Sequence, residues 1–202
     1  MNPAIARINK DGAGGTFLLR WTSFALVLAG VIAVGYSGYV VVYSQAYQTI
    51  ELRTFEHNPR LAEPHLLNSG DVIGEIQIPR LGVKAVIVQG DAPELLDRAV
   101  GHIPQTALPG EWGNVALAGH RDRLFRPLRQ VHQGDTIVLE TAIGSFTYQV
   151  ESTFVVPSSE VGVLRSSSTN ELTLITCFPF DYIGHAPKRF IVRGREVGSS
   201  RK

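Results

Sequence analysis

The chain has 202 residues, enough for about one domain of roughly 150 residues plus an appendage. Apolar residues make up 44% and charged residues 18%, the formal net charge is +1, and no basic stripe with interleaved aromatics occurs, so nucleic acid is excluded as a partner. The single cysteine, Cys177, excludes an intramolecular disulfide and a multi-cysteine zinc site.

In chain order, residues 1–20 come first, with Arg7, Lys10 and Arg20 against one acid, Asp11. From Trp21 to Ile50 there is no charged residue. An apolar run fills 21–43, with Trp21 at one end and Tyr36, Tyr39 and Tyr43 toward the other. About 20 apolar residues cross the hydrocarbon as a helix, and amphipathic rings favour the two interfaces. Signal-peptide cores are shorter and end at small residues. The segment therefore predicts an uncleaved transmembrane anchor over 21–43. The basic residues before it predict a cytoplasmic N-terminus over 1–20. Residues 44–70 read as a linker, polar and punctuated by Pro59, Pro64 and Asn68-Ser69-Gly70. Residues 71–202 are then an extracytoplasmic domain of a single-pass plasma-membrane protein.

Within that domain, short β-rich runs alternate with turn signals. Strands are expected over 72–78, 83–88, 113–118, 135–141, 146–152, 172–176 and 189–193, with 154–156 continuing or pairing. A turn at Ile143-Gly144 makes a hairpin of two of them. A short helix is expected over 92–98, where Pro93 and Glu94 suit a helix start, and an irregular turn within 123–131. About eight short strands of antiparallel character predict a mostly β, closed eight-stranded barrel, which leaves no exposed edge.

Three places carry chemistry. His120 follows the small-residue strand end Leu117-Ala-Gly; Cys177 ends the run Thr173-Leu-Ile-Thr; Lys188-Arg189 opens the last strand. A thiol with a pKa near 8.5 is mostly protonated at neutral pH. An imidazole can accept its proton and later protonate a leaving amine. A guanidinium can stabilise the oxyanion formed when the thiol attacks a carbonyl, and it stays charged with donors in a fixed fork. From the residues alone other readings stay open. A lone cysteine is commonly a small buried hydrophobe. His120 is one of six histidines, and Arg189 competes with Lys188, Arg193 and Arg195. Asp122 and Asp181 are candidates to orient an imidazole. Phe178, Phe180 and Tyr182 either wall a cleft or pack the barrel rim. The Ser-rich stretch 157–170 is either a specificity loop or a solvated connector.

Thr173-Leu-Ile-Thr-Cys177 resembles the T-L-x-T-C signature of the sortases at all four fixed positions. Leu117-Ala-Gly-His-Arg-Asp122 is similar to their histidine motif. Arg189, twelve residues past the cysteine, lies where that family begins the strand bearing its arginine. The likeness covers about residues 71–195. The stretch from Cys177 through Phe-Pro-Phe to Ala-Pro-Lys-Arg189 looks most like class D. The resemblance implies a sortase-type barrel and a cysteine transpeptidase with Cys177 as nucleophile, His120 as acid/base and Arg189 as oxyanion donor. It implies Thr176, Phe178 and Leu164 as substrate-contacting residues. Implied partners are surface proteins bearing an LPxTG-like C-terminal sorting signal, and an amine acceptor on the cell envelope or another protein. No cofactor and no metal are expected, since Glu151, Glu160 and Glu171 are scattered. Two other functions remain in view: a membrane-tethered, non-catalytic peptide-binding domain, and a thiol peptidase that only hydrolyses.

Overall fold

A computed structural model describes residues 21–39, 42, 67–182 and 184–201. The chain divides into two compact units, residues 1–45 and 46–202. In the first, helix α1 spans Trp21–Tyr39, 19 residues and thus about 28 Å at 1.5 Å per residue. That length matches the hydrocarbon core of a bilayer. Its side chains, Phe24, Leu26, Val31 and Val34 among them, are exposed all round. Ser37 turns its hydroxyl back to Ala33 O at 2.8 Å, so the helix shows fewer polar groups than its sequence suggests. The expected span to residue 43 ends among positions outside the described residues, as does the linker up to residue 66.

The second unit is the barrel. Its strands are β1 (Val72–Ile78), β2 (Val83–Gln89), β3 (Val100–His102), β4 (Asn114–Ala118), β5 (Thr136–Thr141), β6 (Gly144–Pro157), β7 (Glu171–Phe178) and β8 (Lys188–Arg201). They close in the order β1-β2-β3-β4-β7-β8-β6-β5. The period-2 alternation decides which side chains enter: along β5, Ile137, Leu139 and Thr141 are buried, while Thr136 is exposed. Inside lie Ile76, Leu117, Phe125, Leu139, Phe146, Tyr148, Leu172 and Leu174, each at most 1% exposed. Each such aliphatic or Phe side chain contributes about 1.5–3 kcal/mol on burial. A smaller cluster of Val72, Val86, Val88, Leu95 and Ala99 packs where α2 (Pro93–Leu96) covers the sheet. The Arg80 guanidinium binds the Asp135 carboxylate and Gln130 O, tying the turn after β1 to the start of β5.

The structure departs from these expectations at four points. The pairing is not antiparallel throughout: β2–β3 and β4–β7 are parallel. Strand β3 gave no signal, because three residues centred on Gly101 are too short to show alternation. The hairpin turn is Ala142-Ile143, and Gly144 already pairs with Thr141. At Gly144 φ is 149°, and a Cβ would lie 2.3 Å from Ser200 O, because β8 crosses close over the start of β6. β6 and β8, at 14 residues each, run longer than expected.

Candidate active site

The parallel β4–β7 pair sets the geometry. Two parallel strands end at the same mouth of a barrel, so the residues following β4 emerge beside the end of β7. Ala118 pairs with Ile175, and Gly119 N donates to Ile175 O at 3.1 Å. His120 therefore emerges level with Cys177. β8 runs antiparallel to β7 and begins at that mouth, with Arg189 directly opposite Cys177. Side-chain parity then sorts the faces. Ala118, Ile175, Cys177, Arg189 and Ile191 alternate with core residues and line a cavity outside the barrel.

That cavity has a volume of about 340 Å³ and holds His120, Cys177 and Arg189 together. One wall is Val161, Val163 and Leu164 of the β6–β7 loop; the other is Leu96 and Ile103. A second cleft, of about 350 Å³, shares His120, Cys177 and Arg189, and adds Arg121, Asp122, His185 and Ala186. The first is walled largely by aliphatic side chains and the second by polar ones. The three residues lie where the two clefts meet.

Each is held differently. Cys177 is half-buried on its strand. The Arg189 guanidinium donates from Nη1 to Ala186 O at 3.2 Å and Lys188 O at 3.0 Å. His120 sits one residue past Gly119, whose carbonyl accepts the Thr176 hydroxyl at 2.7 Å. A Cβ on Gly119 would fall 2.7 Å from the Phe125 ring, so only glycine lets the chain pass there undisturbed. The His120 Nε2 lies 3.6 Å from Asp97 Oδ1. Arg123 holds Asp97 in turn, through Nη1 to Asp97 O at 2.6 Å and Nη2 to Oδ1 at 3.6 Å.

The other expected residues occupy distinct settings. Thr176 touches the cavity, but its hydroxyl is spent on Gly119 and it is 2% exposed. Leu164 lines the aliphatic wall. Phe178 faces away from Cys177, as the next residue of a strand must. It stacks on Phe190 with ring centroids 6.3 Å apart and meets Phe180 edge-on at 6.1 Å, and it lines neither cleft. Tyr182 lies under the Arg121 guanidinium, 5.9 Å from the ring centroid, and Arg121 also donates to Tyr182 O and Gly184 O. Arg121 thereby fastens the β7–β8 loop beside His120. Asp181 pairs with Arg129 at 3.1 Å rather than with an imidazole. Among the described residues, no group of three His, Cys, Asp or Glu side chains is arranged to hold a metal ion. Asp97 was missed: a carboxylate ending a short helix, 23 residues before His120, gives no local sign of the contact.

The sortase-domain family model matches residues 76–197. The chain is 30% identical over 189 residues to Sortase D of Bacillus subtilis (strain 168), covering 85% of this chain and 96% of that protein. Among solved structures, the Clostridium perfringens Sortase D5 transpeptidase superposes with a TM-score of 0.66 and 28% identity, over 77% of this chain and 98% of that one. Sortase E1 from Streptomyces coelicolor, solved with a tripeptide in the active site, gives a TM-score of 0.58 and 31% identity over 66% and 91%. The barrel is thus a sortase barrel. The chain belongs to the sortase family, whose function is of the transpeptidase type on sorting-signal substrates, and class D members are among its relatives.

Proposed function

We propose that this chain is a membrane-anchored cysteine transpeptidase that cleaves an LPxTG-like sorting signal and passes the acyl group to an amine. The observation that carries the reading is the cross-strand pair Cys177–Arg189, which shares two clefts with His120. Cys177 is the nucleophile. His120 takes the thiol proton as sulfur attacks the threonine carbonyl carbon of the signal. Arg189 stabilises the oxyanion, and its remaining N–H groups are the donors for that task. The C–N bond breaks, the departing amine takes the proton from His120, and a thioester remains. An incoming amine, losing its proton to His120, then attacks the thioester and releases the thiol. The aliphatic cavity under Leu164 suits the Leu-Pro part of the signal, and the polar cleft beside His185 and Asp122 suits the amine. Thr176 acts by fixing Gly119 and His120, and Phe178 by packing β7.

Helix α1 supports an anchor over 21–43, with a cytoplasmic segment 1–20, a linker 44–70 and an extracytoplasmic catalytic domain 71–202 at the plasma membrane. The test is to incubate the chain with sorting-signal peptides, with and without triglycine. Intact mass should show an adduct that disappears in Cys177→Ala and is released faster by the amine. An adduct whose turnover ignores the amine would make it a hydrolase. A folded protein with an alkylatable thiol and no adduct would sink the enzymatic reading.

A further inference from the structure

Asn114 opens β4, pairs with Glu171 at the start of β7, and is 1% exposed. A buried amide is costly unless its donors and acceptor are all used. Here they are spent on two segments. Nδ2 donates to Val163 O at 3.0 Å and to Arg165 O at 3.3 Å. Oδ1 accepts the hydroxyl of buried Thr173, on β7, at 2.7 Å. The two loop carbonyls can only accept, so the Nδ2 end of the amide faces the loop, and the Thr173 hydroxyl donates to the remaining Oδ1 and holds the amide there.

The two carbonyls belong to the 3-10 turn Gly162–Leu164 and its cap Arg165, within the β6–β7 loop. That turn supplies Val163 and Leu164 to the aliphatic cavity. Arg193 adds a second hold: Nη1 binds Glu171 at 2.7 Å, and Nη2 reaches Val163 O at 3.4 Å. A 13-residue connection between strands has no sheet partner of its own, so its shape depends on such ties.

We propose that Asn114, held by Thr173, is a positioning residue that pre-forms the peptide-binding wall of the β6–β7 loop and so sets affinity for the sorting signal. It touches neither substrate nor the reacting atoms. The proposal rests on the transpeptidase reading for its kinetic part alone. The structural part is that the loop turn is ordered before any peptide arrives. The expected signature is a rise in KM with little change in kcat, because ordering the wall is then deferred to binding.

The test uses the full chain in detergent with Asn114→Ala and Thr173→Val. Asn114→Ala removes both donors. Thr173→Val keeps the volume and removes only the hydroxyl that holds the amide oxygen, which guards against loss of fold in the first variant. Hydrogen exchange is read at the Leu164 and Arg165 amides, which bond Val161 O at 3.0 Å and Gly162 O at 3.2 Å. KM and kcat are read with a sorting peptide and triglycine, and Cys177 alkylation by iodoacetamide serves as a substrate-free reference. The expected result is faster exchange at both amides, unchanged alkylation, and a KM raised about tenfold in Asn114→Ala and about threefold in Thr173→Val, the worth of one or two hydrogen bonds. Unchanged exchange in both variants overturns the anchor. Faster exchange with an unchanged KM overturns the link to peptide affinity. A wild-type chain that reacts with no peptide overturns the transpeptidase reading instead, while the exchange data still decide the anchor.

Discussion

Removing one hydroxyl should separate the barrel's stability from its chemistry. The Thr176 Oγ1 donates to Gly119 O at 2.7 Å in a setting where Thr176 is 2% exposed. Valine fills nearly the same volume and offers no donor. Thr176→Val then leaves a buried carbonyl without its side-chain partner, which costs about 1–3 kcal/mol. For a domain of this size that corresponds to a fall in Tm of roughly 4–12 °C. The second effect is local. The residues joined by this bond are the immediate neighbours of Cys177 and His120, so losing it frees the histidine to shift relative to the thiol. A displacement near 1 Å costs about a hundredfold in rate. Thermal unfolding would be measured first, then the rate of thioester formation at 25 °C, where wild type and variant are both folded. Thr176→Ser keeps the hydroxyl and should stay within about threefold of the wild-type rate. Should Thr176→Val lose stability as expected and yet keep the rate of Thr176→Ser, the hydroxyl would be a structural bond only, and the argument that it sets His120 against Cys177 would be wrong.

Three further outcomes are expected. His102 is buried, with Nδ1 2.8 Å from Gln89 and Nε2 2.9 Å from Ala107 O, and burial lowers its pKa from the usual 6.5 although that carbonyl opposes the shift. Unfolded chains then take the proton first, so stability is full above about pH 6.5 and falls as the pH drops below it; Tm measured from pH 7.5 to 5 should show this, and His102→Gln should flatten it. The Arg80 hydrogen bonds hold the Asp135 carboxyl below its usual 3.8, against the opposing pull of burial, so its contribution is full above about pH 3.8 and is lost as the pH falls further. Asp135→Asn should lower Tm at pH 7 and remove that part of the acid loss. Arg189→Lys keeps the charge but not the fork, and should lower kcat by about 10²–10³ with KM little changed; a loss under fivefold would remove Arg189 from the oxyanion role.

The barrel was legible because its strands alternate and its turns carry Gly and Pro. What was not legible depended on pairing between distant segments. Nothing local in 114–118 or 171–178 says that these strands run parallel, yet that single relation brings His120 and Cys177 to one mouth. Strand β3 is three residues long and leaves no period to read. Cys177, His120 and Arg189 were each ambiguous as isolated residues and by spacing; the resemblance of three motifs to those of the sortases singled them out. The aromatic residues after the cysteine could not be divided between cleft and rim from sequence. Strand parity decides it for Phe178, which turns away from Cys177 onto Phe190. Asp97 and Asn114 escaped notice because their partners lie far along the chain.

The three residues differ in how they are held, and that difference bears on the proposed reaction. The backbones of Cys177 and Arg189 are fixed by register: changing their Cα separation means breaking the β7–β8 ladder, which runs unbroken from Glu171 to Phe178, while the Arg189 guanidinium is held by Ala186 O and Lys188 O. His120 stands beyond the end of β4 and is held by smaller devices: the Thr176 hydroxyl, the close approach of Gly119 to Phe125, and Asp97 under its Arg123 clamp. Asp97 is 59% exposed and Arg123 41%, so this last contact is weakened by solvent and salt. In the mechanism we propose, a nucleophile and oxyanion donor held on one ladder, with an acid/base group on a softer mount, would fit a two-step reaction in which that group serves two amines in turn. The departing amine and the incoming one differ in the chain they carry, and the two clefts meet at His120. A rigid histidine would suit one of them better than the other. Under that proposal, a mount with slack would let the same imidazole give its proton on one side and take the next from the other, while the thioester stayed on β7.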